Sequence, residues 1–177
     1  MWAIVKDNEV TETFSNLKGL VIGDIRYSRN IFSFRWSEAE RNAIGVYTIV
    51  QDNSNQKDGS LYTNTEVSYA FADGKVTASY GTAIPKELDD VKSLKKTAIK
   101  SQASELLTPL DWHVIKATEV ESYSVPEAIT TYRADVRSTS NTMETAIDNA
   151  ADVDALAALY VYTDGTRPLG EFPTLET

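Results

Sequence analysis

Val67-Ser68-Tyr69-Ala70-Phe71-Ala72-Asp73-Gly74-Lys75-Val76-Thr77-Ala78-Ser79-Tyr80 is the stretch on which the fold class turns. Two alternating runs, Val67 to Phe71 and Val76 to Tyr80, flank Ala72-Asp73-Gly74-Lys75. Asp-Gly between alternating runs predicts a tight hairpin, because both central residues of such a turn need φ > 0. Moving outward toward the N-terminus, Trp2 to Val5, Gly19 to Gly23 and Tyr47 to Val50 also read as short strands, β-branched, aromatic or bounded by glycine. One short helix interrupts them. Ser37-Glu38-Ala39-Glu40 has the capping-box form, with Ser37 placed to accept an orphan N–H and Glu40 to reach back. Gly45 supplies the stop, and Trp36 and Ile44 are placed to seat the helix on the sheet. Gln51 to Ser60 reads as a polar loop.

Outward in the other direction the period changes from strand to helix. Pro85 opens a long helix with Leu88, Val91, Leu94, Ala98, Ile99, Ala103 and Leu106 on one face, and Thr108-Pro109 stops it. A second long helix is expected to start at Ser124-Val125-Pro126-Glu127, again a capping box, and to carry Ile129, Tyr132, Val136, Met143, Ile147 and Ala150 as a stripe. Asp152 caps a short third helix with Val153, Leu156, Leu159 and Tyr160 on its apolar side. The fold class is therefore α+β: a small antiparallel sheet with one short helix, then an α-helical hairpin and a short third helix. The expected divisions are a β-rich N-terminal domain over 1–84, a helical hairpin region over 85–162 and an extended C-terminal tail over 163–177.

Composition narrows the function classes. The chain has 177 residues, 42% hydrophobic and 24% charged, which is ordinary globular composition. Its net charge is −9, and the excess is uneven: residues 1–100 hold 13 basic and 13 acidic side chains, residues 101–177 hold 4 and 13. Phosphate backbones and anionic headgroups repel so acidic a chain, so neither nucleic acid nor membrane is an expected partner. No cysteine is present, which removes disulfides and thiol chemistry, and a single histidine, His113, excludes multi-His metal sites. No apolar run has the length of a spanning helix, and the N-terminal residues become charged too early for a signal peptide.

Each residue set that could carry chemistry has a structural reading beside the functional one. The acidic cluster Glu144, Asp148, Asp152 and Asp154 could hold a divalent cation, but at helix ends such carboxylates cap and solvate. The loop from Asp52 to Gly59 resembles a calcium loop only superficially: Lys57 stands where glycine is required, and no Glu closes it. His113 could act as a base oriented by Asp111, but neighbours on an extended segment point to opposite faces. No nucleophile elbow or phosphate-cradling glycine motif accompanies it. The expectation is a non-enzyme without catalytic residues, cofactor or metal. Aromatic residues (Trp2, Trp36, Trp112 and nine tyrosines) keep a glycan-stacking surface as an alternative.

The run Leu106-Leu107-Thr108-Pro109-Leu110-Asp111-Trp112-His113-Val114-Ile115-Lys116, followed by Val125-Pro126-Glu127-Ala128-Ile129-Thr130-Thr131-Tyr132-Arg133-Ala134-Asp135-Val136-Arg137, has a familiar form. It resembles the C-terminal helical region of tail-fibre-assembly and tail-fibre-associated small virion proteins of tailed bacteriophages, of the marine phage type. The shared pattern falls on Leu107, Asp111, Trp112, Pro126, Tyr132, Arg133 and Arg137. The resemblance implies a non-enzymatic structural component of the tail or tail fibre attachment region, made in the host cytoplasm and retained in the virion. It would act through protein–protein contacts with other tail or fibre proteins, in several copies per particle as a homo-oligomer. A fibre-assembly chaperone is the alternative, and a glycan-binding module of a receptor-binding apparatus the second.

These readings assign roles to named side chains. Trp112 is expected to plug the turn between the two long helices, buried near Leu107 and Val136, with Tyr132, Arg133 and Arg137 packing back toward it. Trp2 and Ile4 in the first strand, and Leu169 and Phe172 in the tail, are expected to reach neighbouring chains, since both segments are apolar and terminal.

Overall fold

The computed structural model describes residues 1–175. The last two residues of the expected 163–177 tail therefore lie outside the described residues. The fold is α+β, and the chain divides into two compact units. One comprises residues 1–59 and 63–84; the other comprises 60–62 and 85–177.

The first unit holds β1 (Trp2–Lys6), β2 (Glu9–Phe14), β3 (Leu20–Ile22), β4 (Ile25–Tyr27), a 3-10 turn (Arg29–Phe32), α1 (Glu38–Ala43) and β5 (Val46–Asp52). After β6 (Tyr62–Thr63), on a passage of the chain between units, come β7 (Val67–Ala72) and β8 (Lys75–Tyr80). Five strands form one sheet in the order β2-β1-β5-β8-β7. Its outer strands β2 and β7 come back beside each other, so the sheet is curled. Asp73 and Gly74 adopt φ of 51° and 72°, closing the β7–β8 hairpin as its sequence requires. The sheet departs from the antiparallel expectation at one ladder: β5 and β8 run parallel, with Ile49 opposite Val76. Strand β2 is an addition to the expected elements, joined to β1 by Asp7 and Asn8 at φ of 53° and 64°.

Strand β1 is therefore central, laddered to β2 on one side and β5 on the other. This corrects the expectation that Trp2 to Val5 offers a free edge to another chain: both hydrogen-bonding edges are already occupied. Trp2 and Ile4 pack against a core of Phe14, Leu20, Ile31 and Val46, together with Trp36 and Ile44. The capping box of α1 forms with both arms. Ser37 Oγ accepts from the Glu40 N–H at 3.3 Å, and a Glu40 carboxylate oxygen accepts from the Ser37 N–H at 2.7 Å. Gly45 follows at φ 83°, and a Cβ there would lie 2.6 Å from the Val5 carbonyl oxygen, which is why the position is glycine.

The second unit begins after β9 (Ile84–Pro85) with α2 (Leu88–Leu107) and a 3-10 turn (Thr108–Leu110), and continues through α3 (Asp111–Glu119), α4 (Glu127–Asp148) and α5 (Val153–Ala158). Pro85 ends a strand rather than opening the helix, and α2 starts three residues later. Helices α2 and α4 pack antiparallel: Lys96 pairs with Asp148 at 2.7 Å and Lys100 with Glu144 at 3.2 Å, while the far end of α2 meets Arg133. Val91, Ile99 and Ala103 from α2 are buried, as are Tyr132, Val136, Met143 and Ile147 from α4. The capping box expected at Ser124 does not form; Pro126 stands at the N-cap with no side-chain cap bond. Its ring fixes φ at −54°, which sets the helix entry without a hydroxyl.

The tail is held by its own unit, correcting the inter-chain role expected of it. Leu169 is buried, and its N–H donates to the Leu159 carbonyl at 3.0 Å. Phe172 packs on the cluster of Ala103, Tyr132 and Val136. Each removes apolar surface from water within its own unit, which favours that packing over exposure to a neighbour.

Candidate functional site

The most unusual feature of the second unit is α3. It arises because Pro109 cannot continue α2: it lacks an N–H, and its ring collides with the carbonyl four residues back. Its fixed φ does suit the start of a 3-10 turn. Leu107, Thr108, Leu110 and Asp111 all keep helical φ, from −55° to −104°, so the chain bends and re-enters a helix. The stop expected at Thr108-Pro109 is thus a redirection, and Trp112-His113 lies on a helix instead of an extended segment.

Arg133 pins the start of this helix to α4. The residue is buried, and its Nη1 lies 2.8 Å from Asp111 Oδ1 while donating to the Leu107 carbonyl at 3.0 Å. Arg137 Nη1 in turn donates to the Arg133 carbonyl at 3.3 Å. Beside this clamp Tyr132 is buried with Ala103 and Val136, and Leu106, Leu107 and Leu110 pack around them. The same first turn is also tied to the chain that follows the helix, through an aromatic group. His113 Nδ1 and the Tyr123 hydroxyl share a hydrogen bond, the Trp112 and His113 rings lie 3.7 Å apart, and Lys116 Nζ stands 4.3 Å from the Tyr123 ring centre.

Although fastened through its first turn, α3 buries none of its nine residues. Trp112 is 51% exposed and Ile115 55%, with Val114 and Val120 also exposed. At 100° per residue Asp111, Trp112, Ile115 and Glu119 share the outward arc, while His113 and Ala117 are half-buried on the inward one. This corrects the expectation for Trp112. The helical phase points it away from Leu107 and Val136, and the interior is filled by Tyr132, Leu110 and the tail. What results is a rigid apolar strip between two carboxylates.

The chemical alternatives find structural partners. Asp111 is held by Arg133, so the base–orienter pair Asp111–His113 is not assembled. Of the acidic cluster, Glu144 and Asp148 pair with Lys100 and Lys96, Asp152 caps α5 through the Ala155 N–H, and Asp154 accepts from the Tyr62 hydroxyl at 2.6 Å. The hydrogen bond to Asp148 holds the Lys96 ammonium above its usual range. In the loop after β5, the Ser54 N–H donates to Asp52 and lowers its carboxyl below the usual carboxylate range. Among the described residues no group of His, Asp and Glu side chains could hold a metal ion, and no helix is long and apolar enough to cross a membrane.

Ile115 and Glu119 were given no role of their own from the sequence, although they complete this face with Trp112. The usable signal is the three-residue spacing of Trp112 and Ile115 between Asp111 and Glu119, which reads as a helix face only once Pro109 is recognised as a bend. Comparison of the chain with models of known protein families, with curated proteins and with solved structures finds no match.

Proposed function

We propose that this chain is a non-enzymatic protein of a tailed-phage virion, a structural component of the tail or fibre attachment region that works by protein–protein contact through the outward face of α3. One observation carries the contact reading: a helix fastened through its first turn that buries none of its residues and turns Trp112 and Ile115 to solvent. Large apolar groups left exposed together on one helix face mark contact surfaces. The phage setting rests on the resemblance through Leu107, Asp111, Trp112, Pro126, Tyr132, Arg133 and Arg137. Four of these, Leu107, Asp111, Arg133 and Arg137, form one connected set of bonds that positions the strip. The assembly chaperone is the alternative that the same resemblance implies.

Quantitative mass spectrometry of purified particles and of infected-cell lysate tests this reading. A fixed stoichiometric copy number in particles supports the virion role. Presence in lysate alone favours the chaperone, and absence from both overturns the phage setting. Trp112→Gln should be lost from particles while keeping its fold; normal incorporation of that variant overturns the contact role of α3.

A further inference from the structure

The strip on α3 has a counterpart in the first unit. Phe34 is 95% exposed, the most exposed of the large apolar side chains. It does not sit on a loose loop. Ser28 Oγ accepts from the Asn30 N–H at 3.3 Å, Ser33 Oγ donates to the Asn30 carbonyl at 2.7 Å, and the Trp36 N–H donates to the Ser33 carbonyl at 3.2 Å. Arg41 then reaches across from α1 to bond the carbonyls of Ile31 and Trp36, with its guanidinium over the Trp2 ring. The turn is stapled from within, and Phe34 projects from it as a fixed peg.

The charges around the peg and the strip are opposite. Residues 25–36 contain Arg26, Arg29 and Arg35 and no acidic residue. All three arginines are exposed, and none has an ion pair among the described residues. Residues 105–127 contain Glu105, Asp111, Glu119, Glu121 and Glu127 against the single base Lys116. Glu119 and Glu121 are exposed and likewise have no ion pair among the described residues. An aromatic peg flanked by arginines and an apolar strip flanked by carboxylates is the pairing that both apolar burial and charge complementarity favour.

We infer that the occupant of the α3 face is a second copy of this chain, which inserts Phe34 against Trp112 and Ile115 while Arg29 and Arg35 meet Glu119 and Glu121. The inference rests on the contact role of α3 proposed above. Because the two faces differ, the association is head-to-tail, and each added copy exposes a fresh peg and a fresh strip. Copies then add until the rotation closes a ring or an open filament grows.

Sedimentation equilibrium of the full chain, at low and high salt, tests it. The wild type should show masses of two or more copies that rise with concentration and fall at high salt. Trp112→Gln, and separately the double variant Phe34→Ser with Arg35→Glu, should each weaken association by about tenfold or more. Both sets of side chains are exposed, so circular dichroism should give each variant a wild-type melting curve. The decisive arm mixes the two variants: each supplies the face the other lacks, so the mixture should recover a complex of one copy of each and nothing larger. A single-copy mass for the wild type at every concentration overturns the second-copy occupant, as does a mixture that recovers nothing. Association lost with Trp112→Gln but kept by the Phe34 variant shows α3 meeting α3, and overturns the peg. The contact role of α3 itself is decided separately by whether Trp112→Gln enters particles.

Discussion

Helix α4 turns Tyr132, Val136, Met143 and Ile147 inward against α2 and the tail, whereas α3, a short loop before it in the chain, turns Trp112 and Ile115 outward. Both helices are amphipathic mixtures of similar residues, so composition does not separate them. Their attachment does. Helix α4 is held by the burial of its own stripe; α3 is held by polar bonds in its first turn, Arg133 to Asp111 and Tyr123 to His113. A helix fastened by a few polar bonds has its apolar side chains available for another molecule. One fastened by its face does not, and substitutions should separate the two.

The largest expected effect is on the face-held helix. Tyr132 is buried against Ala103 and Val136, and truncating a large aromatic in such a place costs about 3–5 kcal/mol. Tyr132→Ala should therefore melt many degrees below the wild type in calorimetry. A drop as small as that of a surface variant would mean that α4 does not depend on its stripe, and the contrast with α3 would fail.

Next comes the clamp. Arg133→Met leaves the Leu107 carbonyl without its donor, a loss of about 1–3 kcal/mol. The higher cost of breaking a fully buried ion pair does not apply, because Asp111 is 52% exposed and keeps its water. Hydrogen exchange sharpens the comparison: amides of α3 should exchange faster in this variant while those of α2 and α4 hold. Uniform acceleration across all three helices would show that Arg133 supports the whole hairpin.

What the sequence revealed follows the same division. The Asp73-Gly74 hairpin, the Ser37 box, the stripe of α4 and Val91, Ile99 and Ala103 of α2 were legible because each is encoded by a local rule or by burial of one face; Leu94 and Ala98, expected on the same face of α2, are exposed. Helix α3 was not, since its apolar residues fall on the solvent side and Pro109 reads as an end. Strand β2 escaped because Asp7-Asn8 is a weaker turn signal than Asp-Gly, and Val10 to Phe14 is mostly polar. The parallel β5–β8 ladder joins segments that no turn connects, so no local feature announces it. Of the residues named in advance, Tyr132 and Arg133 are buried at the hairpin end, Arg137 is exposed and bonds the Arg133 carbonyl of its own helix, and Trp112 lies on the outside.

Helix α1 offers a smaller test, since it too buries none of its residues and is held by its capping box. Ser37→Ala removes the hydroxyl cap and should cost about 1 kcal/mol. The Ser37 backbone N–H, followed by its hydroxyl, holds the Glu40 carboxyl below the usual range. A lowered folded pKa means the contribution is complete above the ordinary glutamate value of about 4.3 and is lost as pH falls through the folded one. Denaturation across this acid range should show a component of stability loss in the wild type that Glu40→Gln lacks. Parallel curves for the two proteins would show that the box does not hold α1.

The smallest effect on stability is expected where the sequence promised the largest. Trp112→Ala removes a ring that stacks on His113 and lies 5.7 Å from the Lys116 ammonium, both contacts at the surface. Exposed substitutions of this kind fall within about 0.5 kcal/mol of the wild type. The His113–Tyr123 bond and the Arg133 clamp are untouched, so the helix should keep its place. The pair Tyr132→Ala and Trp112→Ala thus forms an internal control: two large aromatics near the same turn, one expected to govern the melting temperature, the other to leave it nearly still while binding is lost. If calorimetry gives the two variants comparable losses, the strip is part of the unit's own packing, α3 is held by its face after all, and there is no spare surface for a second copy to cover.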